Sequence, residues 1–306
     1  MATVAVAGGT GGIGSTIVDT LRQNPHHKMV ILTRKMSDLP QLSDAFVCVD
    51  YSDIDSMAKV LDENKVHTVI SALRVFDSAT SLAESNLVKA AAKSGSTKRF
   101  VASAWGIHNA ETTPIGQARG RTLAELRMTN LEWTRFDNGY FLDYYAPPSQ
   151  LESHMNHVAW AIDMENKKAG IPGTGNDPMT FTYTFDVARF AVAALDLPKW
   201  DELMYCYGDK TTWKGFLKQA EEARGCKFDV SYDPPEKLQK GEVTELPGNE
   251  GTEVFSRKAL EGLMAFWGLN VLEGRYDLPT DRALNSVFPD IKPLTVKDVM
   301  EMWRGK

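Results

Sequence analysis

Short β-rich runs alternate with amphipathic stretches through the first 136 residues. Residues 3–7, 28–33, 45–50, 68–72, 99–103 and 131–136 predict strands. Residues 12–24, 54–64, 79–94 and 117–128 are apolar at helical spacing, several ending at Gly, Asn or Pro, and predict helices. Such alternation predicts a parallel sheet covered by helices on both faces and joined by right-handed crossovers, an α/β fold of the Rossmann-type, doubly wound class.

The alternation stops after Phe136. NGYFLDYYAPPSQ brings clustered aromatics and then Pro147 and Pro148, which cannot continue a helix interior, so a domain switch is expected here. A helix carrying His154, His157 and Trp160 is predicted next. IPGTGNDP supplies turn chemistry before a β-like run at 179–183, a helix at 185–195 and a strand at 203–207, where the chain is expected to return to the first sheet. Thr211 and Thr212 suit the N-cap of a helix running to Arg224. Beyond Phe228, Pro234, Pro235, Pro247, Pro279, Pro289 and Pro293 predict short helices in a smaller, irregular α+β domain. The expected organisation is a dinucleotide-binding domain at 1–136, with a return at about 184–207, and a mainly substrate-binding domain at 137–306. No internal repeat or low-complexity tract is present.

Composition narrows the function. The 306 residues are 43% hydrophobic and 24% charged, which excludes disordered, collagenous and coiled-coil classes. With 40 acidic against 34 basic residues and a net charge of -6, the chain lacks the basic excess that nucleic acid or an anionic bilayer would reward. Cys48, Cys206 and Cys226 fit neither a disulfide framework nor a zinc motif, so a reducing compartment is expected. No run approaches the roughly 18 apolar residues of a membrane span. The expectation is a cytoplasmic protein, monomer or homodimer, that binds a small-molecule substrate and neither nucleic acid nor membrane.

The chemistry begins at VAVAGGTGGIGSTIV. Gly8, Gly11 and Gly14, with Thr10, Gly12 and Ile13 between them, lie between a predicted strand and a predicted helix. Glycines there let a pyrophosphate approach backbone N–H groups at a helix N-terminus. The spacing is GxxGxxG rather than GxGxxG, and a glycine-rich turn without a ligand is the plain alternative. About 20 residues further on, an NAD site would place an acid on the ribose 2′-hydroxyl. Here stand Thr33, Arg34 and Lys35, whose cations suit a 2′-phosphate and point to NADP(H); solvated cations at a strand exit are the alternative. Asp50 and Tyr51 are placed to reach the adenine side, and the backbone at Ser71, Ala72 and Leu73 to border the cofactor.

GGTGGIG, the Thr-Arg pair, RFVASAWG with its Ser103, NGYFLDYY, KAGIPGTGN and TFDVARFAVAALDLP together resemble the NmrA-like branch of atypical short-chain dehydrogenase/reductases, which includes isoflavone reductase, and within it the fungal oxidoreductases linked to secondary metabolism. The resemblance implies a cofactor over the carboxyl edge of the sheet, in contact with Ser103 among others, and a substrate between domains. Two departures matter. The Tyr-xxx-Lys pair of short-chain dehydrogenases is missing, and the position of the isoflavone reductase lysine falls on Arg119. Arginine stays protonated, so it can orient or neutralise an oxyanion but not exchange a proton.

Tyr140, Tyr144, His154 and His157 remain as proton carriers, the two histidines being spaced to share a helix face. No third ligand of suitable spacing makes them a metal site. Phe136, Phe141, Tyr145, Trp105 and Trp160 read as core, some of them able to floor an aromatic pocket. The leading expectation is an NADPH-dependent reductase of a medium-sized aromatic or polycyclic natural product. The alternatives are a non-catalytic NADP(H) sensor that binds a protein partner and a redox-neutral isomerase or epimerase.

Overall fold

A computed structural model describes residues 2–34, 45–251 and 256–306. The first half forms β1 (Ala2–Ala7), α1 (Gly12–Arg22), β2 (His27–Thr33), β3 (Phe46–Cys48), α2 (Ile54–Glu63), β4 (Val66–Ser71), α3 (Leu82–Lys93), β5 (Arg99–Val101), α4 (Pro114–Arg127) and β6 (Glu132–Asp137). Among the described residues seven parallel strands make one sheet, in the order Leu203–Tyr205, β6, β5, β4, β1, β2, β3. The strand order reverses beside β1, the switch point at which open α/β sheets bind ligands.

Local chemistry explains the boundaries. Val4, Ala5, Val6 and Ala7 are all fully buried, as a strand covered on both faces requires. The Asp53 carboxylate caps α2 by accepting the Ser56 N–H at 2.9 Å, and Thr113 caps α4 through the Gly116 N–H at 3.1 Å, with Pro114 in the first turn. β5 ends at Val101, short of the expected residue 103, because the Ser103 N–H donates to a side chain instead of a neighbouring strand. β3 likewise ends before Asp50, whose carboxylate closes a turn on Ser52.

The chain divides into two compact units, Met1–Asp137 with Ala188–Tyr205, and Asn138–Val187 with Cys206–Lys306. They are close to equal in length rather than large and small. In the second unit, strands Asp209–Thr212, Pro178–Thr182 and Tyr140–Phe141 form one small sheet, and Asp229–Asp233, Lys168–Pro172 and Ile162–Asp163 another. Its core is aromatic: the rings of Tyr145 and Phe216 lie 4.7 Å apart, and those of Phe181 and Trp213 5.2 Å.

Two expectations for this unit are corrected. No helix carries His154, His157 and Trp160; the segment is irregular. Its backbone groups are taken elsewhere, the Ala159 N–H by the Asn249 side chain at 2.9 Å, the Ala159 carbonyl by the Asn249 amide at 2.8 Å, and the Met155 N–H by Ser153 Oγ at 3.1 Å. The C-terminal region is not made of short helices alone, because Arg257–Leu272 is one helix of 16 residues, capped by Ser256 and free of proline. Among the described residues no helix is long and apolar enough to cross a membrane.

Candidate functional site

β1 delivers the chain to Gly8, whose φ of +78° and closeness to Ala72 exclude a side chain: a Cβ would lie 2.5 Å from the Ala72 carbonyl oxygen. At Gly14 a Cβ would lie 2.1 Å from the Gly8 oxygen. Gly11 is different. Its nearest neighbour would be the Gly8 oxygen at 3.8 Å, so this glycine leaves an opening rather than a tight contact. It is also the N-cap of α1, with no side-chain cap and no acid in the first turn. The amides of Gly12, Ile13 and Gly14 therefore begin a helix whose dipole no carboxylate offsets, and Thr10 is exposed beside them. A pyrophosphate fits this cradle in space and in charge.

Arg34 follows β2 and is exposed, its carbonyl 3.5 Å from Cys48 Sγ. No acid stands at Thr33 or Arg34; Lys35 lies outside the described residues. The buried Tyr51 phenol donates to the Leu32 carbonyl at 3.3 Å, and burial pushes it up against the opposing charge of Arg34. Asp50 is engaged in its own turn, where the Ser52 hydroxyl and N–H hold its carboxyl below the usual range.

The carboxyl ends of β4 and β5 meet the glycine loop. The Ala72 N–H donates to Ala7, Trp105 Nε1 donates to the Ser71 carbonyl at 3.0 Å, and Ser103 Oγ donates to the Leu73 carbonyl at 2.7 Å. Gly8, Gly14, Ser71, Ala72, Leu73 and Ser103 are thus brought together at one edge of the sheet. The sequence reading missed the buried carboxylate of Glu84 beneath that edge, because nothing in its spacing distinguishes it from the solvated acid of an amphipathic helix.

It also missed Asp137, the last residue of β6. Its carboxylate is 2% exposed, lies 3.4 Å from Arg135 Nη2, and is pushed up to about 6 by burial, against the charges of Arg135 and Arg119. Arg119 Nη1 donates to Asn109 Oδ1 at 2.8 Å. Arg135 Nη1 lies 2.7 Å from His108 Nδ1, and since arginine only donates, that nitrogen is the acceptor of a neutral imidazole. His108, Asn109, Arg119 and Arg135 line a cleft of about 260 Å³ with Leu123, Trp133 and Glu202.

In the second unit Tyr140 is enclosed by rings, with Trp160 at 4.7 Å, Tyr144 at 5.4 Å and Trp267 at 5.5 Å. Its hydroxyl is buried and has no hydrogen-bond partner among the described residues, and burial holds the phenol neutral. His154 and His157 are exposed in the irregular segment, not aligned on one helix; the His154 ring lies 6.1 Å from Phe185. His157 and Tyr144 line a cavity of about 390 Å³ with Pro147, Pro148, Met155 and Trp303.

Residues 8–198 match the NAD(P)H-binding family model. The chain belongs to the NAD(P)H-binding, NmrA-like family of oxidoreductases. Among its relatives, oxidoreductase BOA1 of Botryotinia fuckeliana is 38% identical over 234 residues, which cover 74% of this chain and 78% of that protein. Oxidoreductase swnN of Metarhizium robertsii is 30% identical, over 97% of this chain and 96% of its own. The fold is shared with leucoanthocyanidin reductase of Vitis vinifera, solved with NADPH, at a TM-score of 0.76 and 18% identity over 98% of this chain and 99% of that one. Membership in the family makes this chain an NAD(P)H-binding oxidoreductase.

Proposed function

We propose that this family member is an NADPH-dependent reductase of a medium-sized aromatic or polycyclic natural product, with Tyr140 as the proton donor. The observation that carries the reading is the Tyr140 hydroxyl, buried among aromatic rings with no hydrogen-bond partner among the described residues. A buried donor without an acceptor is costly, and a substrate oxygen would satisfy it. A neutral phenol can give its proton to an oxyanion, whereas Arg119 can only stabilise the charge.

Bound NADPH would supply the hydride. Gly8, Gly11 and Gly14 with the first-turn amides of α1 would hold the pyrophosphate, and Arg34 would receive the 2′-phosphate. The apolar walls of the 390 Å³ cavity, Pro147, Pro148, Met155 and Trp303, suit a ligand of that size class. NADPH consumption is to be followed across a panel of aromatic ketones, enones and benzylic ethers. Turnover of at least one aromatic member, with a preference over aliphatic analogues, is expected. Turnover confined to small aliphatic carbonyls would overturn the substrate class.

A further inference from the structure

Glu84 stands in the first turn of α3 and is 1% exposed. One of its oxygens accepts the Ser103 N–H at 2.6 Å and the other accepts the Thr122 hydroxyl at 3.2 Å. The two partners come from two places, the segment after β5 and α4. Burial pushes the carboxyl up, while these donors and the charge of Arg119 pull it back. A buried carboxylate is expensive, and an apolar side chain on α3 would serve packing better. What this one does is fix backbone. Ser103, held by Glu84, passes its own hydroxyl to the Leu73 carbonyl at 2.7 Å, so the carboxylate fixes residue 103 and, through it, the segment that follows β4.

We propose that Glu84 is the positioning residue for the nicotinamide half of the cofactor. The inference rests on the NADPH reading above. With the pyrophosphate at Gly11 and the 2′-phosphate at Arg34, the adenine half lies over β1 to β3, which leaves the nicotinamide half to the ends of β4 and β5. Among the described residues Glu84 is bonded to that side, through Ser103 and onward to Leu73, and to none on the adenine side.

The test is calorimetric binding of NADPH and of adenosine 2′,5′-bisphosphate, which carries only the adenine half, to the full chain and to Glu84→Leu and Glu84→Gln, with thermal melting of each. Glu84→Leu is expected to weaken NADPH about tenfold or more while the bisphosphate stays within about twofold of the wild type. Glu84→Gln is expected to restore NADPH binding, since its carbonyl can accept the Ser103 N–H and its amide can donate to a Thr122 hydroxyl that turns to receive it. Should Glu84→Leu fail to fold, Ser103→Ala, which removes only the bond to Leu73, is expected to show the same selectivity at smaller size. Equal weakening of both ligands in step with a lower melting temperature would reduce Glu84 to a structural residue, and unchanged NADPH affinity would dismiss it. A wild-type chain that binds neither ligand would overturn the cofactor reading itself and the proposal with it.

Discussion

A methyl group on Gly14 would stand 2.1 Å from the carbonyl oxygen of Gly8, whereas one on Gly11 would find that same oxygen 3.8 Å away. The two glycines therefore fail differently. Gly14→Ala must push α1 from the strand-to-helix turn and is expected to cost about 1–3 kcal/mol of stability together with nucleotide binding. Gly11→Val is expected to melt close to the wild type and yet lose NADPH, because its side chain would fill the opening proposed for the pyrophosphate. Melting curves beside calorimetric titration separate the two, and micromolar NADPH binding by Gly11→Val would contradict the cradle.

Arg34, with no acid at the end of β2, is expected to favour NADPH over NADH by at least about tenfold, a charge-assisted contact to a phosphate being worth roughly 1.5–3 kcal/mol. Arg34→Asp should reverse the order. Equal affinities of the wild type for the two nucleotides would remove the claim.

Tyr140→Phe deletes a buried hydroxyl that has no partner among the described residues, so the melting temperature should hold or rise. Turnover should nevertheless fall about 10²–10⁴-fold, the contribution of a general acid, with NADPH affinity nearly unchanged. His154→Ala and His157→Ala, at exposed positions, should cost far less. Full activity of Tyr140→Phe would exclude the phenol as the acid.

Asp137 is expected to make stability fall with rising pH. Burial raises its folded pKa from 3.8 to about 6, so the carboxyl is held best when protonated. Its contribution is fully present below about pH 4 and is lost as pH rises through about 6, a swing on the order of 3 kcal/mol. Asp137→Asn removes the swing while leaving Arg135 short of a counter-charge. Denaturant midpoints from pH 4 to pH 7 should therefore fall more steeply for the wild type than for the variant. Arg119→Ala, which takes away a cation that holds Asp137 down, should move the window upward. Parallel pH profiles for wild type and Asp137→Asn would refute the assignment.

The alternation of strand and helix, the glycine spacing and the Thr-Arg pair were legible in the sequence because each is written in near neighbours. Periodicity and turn chemistry act within a few residues, so β1 through β6 and the opening of α1 follow from local pattern. What only the tertiary structure decided lies where a polar group chose a distant partner. Glu84 reads as one more acid on an amphipathic helix until Ser103 and Thr122, 19 and 38 residues away, are found bonded to it. The segment carrying His154 and His157 has a helical look but gives its backbone to Asn249, 90 residues from Ala159. Asp137 ends a strand like any other residue, and only burial beside Arg135 makes its proton titrate near neutrality. Desolvation and hydrogen-bond satisfaction are settled by the whole fold, and no short stretch of sequence carries them.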